Sequence, residues 1–287
     1  MNALPWTALG SVLVVAAGIG LVAFGSSRWA GATQTQMAKL DAARLAMPAG
    51  RYDAREIEGL LTPVQRYFRA VLKDGQPFIA TATFELAGTI NMSSTGGDNW
   101  KPFTSWQRAV VQRPGFLWNG SVAIFPGLIA HVHDSYIAGV GTLHAAMLGL
   151  FTVANVQGDG ETARGELMRY FAEAIWYPTA LLPSQGVHWT AVDESSANAT
   201  LVDGPISLIL KFRFDDAGFV TSVHADARGA GVGKDMVMLP WACCASNYQL
   251  RDGMRVPTRA EAAWLRPEGR KPYFIGHLTS LAYAWSP

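Results

Sequence analysis

Apolar residues are massed at the start of the chain and later settle into two rhythms, one of period 3.6 and one of period 2. No charged side chain occurs between Met1 and Ser27. The run from Trp6 to Phe24 matches the roughly 20 apolar residues that a bilayer-spanning helix needs. Trp6 and Trp29 bracket it as interfacial aromatics would, and Arg28 stops it. This predicts a transmembrane anchor over residues 1–28 and a partly helical, Ala-rich stalk over residues 29–61. A cleaved signal peptide is the rival, since Ala30-Gly31-Ala32 is a small-residue cleavage site, but no Lys or Arg precedes the apolar run. Arg28, Lys39 and Arg44 follow it, and by charge alone they favour a cytoplasmic location for what comes after.

Helical spacing returns after residue 61. Thr62-Pro63-Val64-Gln65 has the form of a helix start, with Thr62 as N-cap, Pro63 at the first helical position and Gln65 closing a capping box. Val64, Tyr67, Phe68, Val71 and Leu72 then recur on one face. The apolar stretch from Gly139 to Val156 predicts a second helix through Leu143, Met147, Leu148 and Phe151. Glu166 to Ile175 predicts a third, with Leu167, Tyr170, Phe171, Ala174 and Ile175 inward and Pro178 ending it.

Elsewhere the pattern alternates. Strands are expected over residues 80–91, 105–113, 116–124, 130–137, 187–192, 198–202, 206–214, 219–227, 245–250, 255–265 and 272–283, with a hairpin at Asp215–Gly218. Strands outnumber helices, which predicts an α+β domain over residues 62–287. Its frame is a large curved antiparallel sheet, or open half-barrel, with helices packed on one face.

Composition narrows the function. Lys and Arg number 23 against 22 Asp and Glu, a net charge of +1, which excludes a strongly basic nucleic-acid binder. The charged fraction is only 16% of 287 residues, while ten tryptophans and thirteen phenylalanines can line an apolar cavity. Trp118, Tyr136, Tyr170, Trp176, Tyr177 and Trp264 are the ring-bearing candidates for such a wall. Two adjacent cysteines, Cys243 and Cys244, read as buried thiols rather than a disulfide. Gly229–Lys234 is not a phosphate loop, because Arg228 and Asp235 stand where Gly and Ser/Thr are required, so a flexible loop and no cofactor are expected.

Two clusters invite chemistry. His131 and His133 share one face of a strand, and with His224 and Asp226 they have the residue types of a metal site. Two half-exposed histidines are the plainer reading. Glu166, Arg169 and Glu173 lie at helical offsets, so Arg169 can pair with either carboxylate. A perturbed glutamate there has the makings of a general acid or base, whereas an ion pair clamping the helix to the sheet asks for less.

Taken together, Thr62–Tyr67, Pro114–Trp118, Asp134–Gly141, Glu261–Trp264 and above all the block Gly165–Pro183 (GELMRYFAEAIWYPTALLP) resemble an uncharacterised bacterial family of membrane-attached proteins. The resemblance implies a fold similar to the open half-barrels of periplasmic lipoprotein carriers, and with it an extracytoplasmic domain. It carries no established activity and no catalytic residue. The expected function is a membrane-anchored module holding a lipid or other apolar ligand. The alternatives are an accessory subunit of a membrane complex and an enzyme using the Glu/Arg cluster or the histidines.

Overall fold

The computed structural model describes residues 4–47, 49–93, 97–232 and 235–287, without the side chains of residues 4–12, 14, 15, 232 and 235. Helix α1 (Leu4–Ala43) and helix α2 (Thr62–Val71) precede six strands: β1 (Ile79–Asn91), β2 (Trp100–Val110), β3 (Gly115–Phe125), β4 (Leu128–Ile137), β5 (Val140–Met147) and β6 (Phe151–Gly158). Helix α3 (Glu161–Glu173) and three short 3-10 turns lead to seven more: β7 (His188–Asp193), β8 (Ser196–Asp203), β9 (Ile206–Phe214), β10 (Val220–Val232), β11 (Asp235–Arg251), β12 (Met254–Arg266) and β13 (Gly269–Trp285).

All thirteen strands form one antiparallel sheet in the order β6-β5-β4-β3-β2-β1-β13-β12-β11-β10-β9-β8-β7. The chain therefore starts at the middle, meanders out to one edge, crosses to the opposite edge, and meanders back until β13 pairs with β1, Phe84 opposite Leu281. The crossing segment is α3. Laid flat, thirteen strands would be roughly 58 Å wide, whereas a helix of 13 residues is only about 20 Å long. The sheet resolves the mismatch by curling round the helix, so that α3 touches β3 to β6 on one wing and β9 and β10 on the other. The large curved antiparallel sheet expected from the alternation is present.

The concave side holds the main core. Phe68 of α2 and Phe212 of β9 meet Trp189 of β7 edge-on, Phe84 of β1 lies against Trp176, and Phe171 of α3 meets Phe212. Leu61, not Thr62, occupies the N-cap of α2, and Gln65 donates to the carbonyls of Glu58 and Leu60 rather than closing a capping box.

Three expectations are corrected. Among the described residues no helix is long and apolar enough to cross a membrane, so the transmembrane anchor over residues 1–28 and the single-pass location built on it do not hold. The expected stop at Arg28 is absent as well: α1 runs unbroken into the Ala-rich stretch. From Gly25 onward it lies on the convex face of the sheet, where Trp29 and Leu40 are buried, Arg28 donates to the carbonyl of Leu150, and Asp41 pairs with Arg108 at 3.0 Å. The side chain of Trp6 lies outside the described residues. The helices consequently occupy both faces of the sheet rather than one.

Second, residues 139–156 are not helical but form the β5–β6 hairpin. Ala138 and Gly139, and then Leu148 and Gly149, take positive φ, the conformation that tight hairpin turns demand. Strand pairing on both sides, Tyr136 with Gly141 and Leu143 with Val156, overrides the apolar run. Third, the stretch expected as a flexible loop is strand through Val232, while residues 233 and 234 lie outside the described residues.

Docking of α1 requires close approach at one point. A Cβ on Gly25 would sit 2.1 Å from the carbonyl oxygen of Leu148. Gly25→Val should lift α1 from the sheet, raising amide hydrogen exchange in residues 25–40 at least about tenfold while the core strands keep their protection; hydrogen exchange read by mass spectrometry measures both.

Candidate functional site

Alternation along β4 sends two sets of side chains in opposite directions. Ala130, Val132 and Asp134 face the concave side, and His131 and His133 face α1. On the concave side, between α3 and the sheet, lies a cavity of about 800 Å³. Much of its wall is apolar: Val122 and Ile124 of β3, Leu143 and Met147 of β5, Ala260 of β12 and Phe274 of β13. Of the six ring-bearing candidates, Trp118, Trp176 and Trp264 line it. The other three do not. Tyr136 donates to Asp203 at 2.6 Å, and Tyr177 donates to the carbonyl of Tyr170 at 2.5 Å within the core.

The floor of the cavity carries charge. Arg169 of α3 is fully engaged: its Nε donates to Glu173 Oε1 at 2.8 Å, one terminal nitrogen to Asp134, and the other to Gln107 Oε1 at 3.2 Å. Gln107 returns a bond from its Nε2 to Glu173 Oε2 at 2.5 Å. The guanidinium also lies 5.1 Å from the ring centres of Phe116 and Trp118. Of the two carboxylates in helical reach, Arg169 therefore takes Glu173, and its second anion comes from β4. The other glutamate, Glu166, is buried 3.9 Å from Arg228 of β10. Burial first, and then the charge of Asp134, push its carboxyl well above the usual carboxylate range.

Arg228 is the functional-type residue that pattern reasoning missed. The sheet register slips between Ala225 and Arg228. That bulge inserts a residue, and Arg228 turns to the concave side where plain alternation from Ala225 would turn it out. Its guanidinium lies 4.8 Å from the Trp241 ring centre and 5.9 Å from that of Trp264, and it donates to Tyr273 Oη at 3.3 Å. The available signal was the break in apolar spacing before Gly229.

The proposed metal ligands are not assembled. His131 and His133, joined by His144 of β5, surround Trp29 of α1, whose ring stacks on His133 at 4.0 Å and whose Nε1 donates to Asn119. His224 pairs with Asp226 at 3.2 Å on β10, seven places away across the sheet. Among the described residues no three His, Cys, Asp or Glu side chains group as a metal ion requires. Burial pushes the Cys243 thiol up to about 12, so it is no thiolate nucleophile at neutral pH; both cysteines are free.

A profile of a family of unknown function, DUF6920, matches residues 58–283. The chain belongs to that family. The match spans every residue of the cavity just described, and it bears out the resemblance to an uncharacterised family; attachment to a membrane is not shown. No curated protein matches the DUF6920 chain. A solved structure similar to it is the LolA superfamily protein NE2245 from Nitrosomonas europaea, with a TM-score of 0.34 and 8% identity, covering 79% of this chain and 94% of that one.

Two outcomes follow for this DUF6920 protein. Arg169→Ala strands Asp134 and Glu173 without their shared cation and should cost about 3–5 kcal/mol in urea unfolding, whereas Arg169→Met combined with Asp134→Asn and Glu173→Gln should restore most of that. Burial, aided by His144 and His131, lowers His133 to about 4. Its contribution is therefore complete above the ordinary histidine pKa of about 6.5 and is lost as pH falls from there towards 4. Trp29 fluorescence should report α1 loosening across that window, and His133→Phe, which keeps the stack but cannot titrate, should flatten the change.

Proposed function

We propose that this DUF6920 protein binds a lipid or other apolar molecule in the cavity between α3 and the concave face of the sheet. The observation that carries the reading is the cavity itself. A concave space of about 800 Å³ with largely apolar walls would leave those walls to water unless an apolar occupant covers them. Ligand sites typically measure about 300–1,000 Å³, with mostly apolar walls and a few placed polar groups. Here the apolar walls come from β3, β5, β12 and β13, and the polar groups are gathered on the α3 side.

The geometry also favours the clamp over catalysis for Glu166, Arg169 and Glu173. Every nitrogen of Arg169 is held by a protein acceptor. A group so tied fixes α3 to β4 and has little freedom to serve a reaction.

Native mass spectrometry of the chain purified without detergent tests the reading. Co-purified or added apolar ligand should bind one to one. Ala145→Phe, which places a ring where a half-buried cavity residue leaves room, should lower binding by at least about tenfold while the far-ultraviolet circular dichroism stays unchanged. Equal binding by wild type and Ala145→Phe, or none by either, would remove the cavity as the site.

A further inference from the structure

We propose that Arg228 and Trp118 take the single anionic head of an amphiphile, a carboxylate or a phosphate monoester, whose chain occupies the apolar part of the cavity. This rests on the apolar-ligand reading above and specifies the class of ligand.

The argument is a count of hydrogen-bonding capacity around one cavity. A guanidinium carries five N–H donors. In Arg169 each of the three nitrogens is engaged, on Glu173, Asp134 and Gln107. Arg228 has a different balance: only 8% exposed, it donates to Tyr273 Oη at 3.3 Å, and its nearest carboxylate oxygen, on Glu166, is 3.9 Å away. The Tyr273 hydroxyl is shared with the Trp241 indole N–H at 2.9 Å. The indole N–H of Trp118, at 4% exposure, has no acceptor at all. Both residues line the cavity. A buried donor left unmade, as at Trp118, is costly, and the Arg228 guanidinium spends its one hydrogen bond on a hydroxyl in the wall of the same cavity.

Two acceptors on the same floor also stand without a donor: Asp134 Oδ1 and Glu166 Oε2. These two carboxyl groups face each other, and a proton held on Glu166 and donated to Asp134 satisfies both. Arg169 is flanked by Asp134 and Glu173, whereas Arg228 has no carboxylate oxygen within hydrogen-bond distance. Glu261, which also lines the cavity, is already held by Arg270 and by Arg259. The unmet capacity is therefore that of a guanidinium in a largely apolar wall, for which a charged acceptor makes the stronger hydrogen bond. The setting suits an oxyanion: a guanidinium flanked by two indole rings is weakly hydrated and presents its fork in fixed geometry. The register slip before Arg228 supports this, since it turns the side chain inward.

The test measures dissociation constants on the full chain by tryptophan quenching. The ligands are hexadecanoate, hexadecyl phosphate, methyl hexadecanoate and hexadecyltrimethylammonium. One or both anions should bind at least about tenfold tighter than the methyl ester, the increment expected of a hydrogen bond to a charged group, and the stronger of the two names the head. Arg228→Gln should bring the anion-to-ester ratio to near one. If Arg228→Gln loses the ester too, Trp118→Phe decides, since it keeps the ring and should lower only the anion affinity. Ester and anions bound alike by wild type, a preference for the cation, or a ratio unmoved by these substitutions would overturn the anionic head while leaving the cavity reading intact. Failure of all four ligands to bind would sink both.

Discussion

The contact between Arg169 of α3 and Asp134 of β4 is the joint on which the architecture turns. A sheet whose chain leaves from one edge and returns at the other has to pass its connection over one face, and that connection has to be held there. A buried ion pair adds little net stability over an apolar contact of the same shape, but it is expensive to break once built. It thus specifies where the helix sits more than how tightly the domain folds. Glu173 and Gln107 complete the joint, so that β2 as well as β4 is tied to the helix. With one wing fixed in this way, Phe171 packs against Phe212 on the other. The charged groups at the joint also bar the apolar walls from collapsing onto the helix, because closing the space would strip the last solvent or ligand from groups that cannot afford it.

One strand serves two surfaces. The same period of 2 that presents Ala130, Val132 and Asp134 to the cavity presents His131 and His133 to α1. Residues that look like neighbours in the sequence therefore belong to separate environments with opposite demands. On the concave side a carboxylate is paired with a guanidinium. On the convex side an imidazole is kept neutral by a tryptophan ring and by other histidines. Gly120 joins the two requirements on the adjacent strand: a Cβ there would fall 2.1 Å from the Trp118 ring, so the bare backbone is what lets that indole lie down along β3.

Much of this was legible in the chain. The strands with clean alternation, such as Ile206–Phe214, and the 3.6-residue spacing of Leu167, Tyr170 and Phe171 announced the sheet and its helix. The block from Gly165 to Pro183 marked the segment that carries the joint. What escaped has physical causes. Residues 139–156 have no clean period to read, because Leu143, Ala145 and Met147 face the cavity, the turn at 148–150 meets α1, and Phe151 and Val156 lie exposed on the edge strand; the glycines at 139 and 149 were the surviving clue. Arg228 was invisible because a bulge shifts the phase of the alternation, and phase is not written in any single residue. The anchor reading failed for a different reason. The charge at Arg28 reads as the end of a segment, whereas α1 continues to Ala43 and from Gly25 onward lies against the sheet.

The outermost strands, β6 and β7, are not bonded to each other, and this governs how the hollow can respond to what fills it. In a closed barrel, strand number and stagger lock the girth. A wound but unsealed sheet has no such lock: a small change of coiling, spread over twelve strand pairings, widens or narrows the trough without breaking a single ladder bond. On the apolar-ligand proposal, selectivity in such a vessel belongs to whatever grips one end of the guest, and the remainder of the guest is free to vary in bulk.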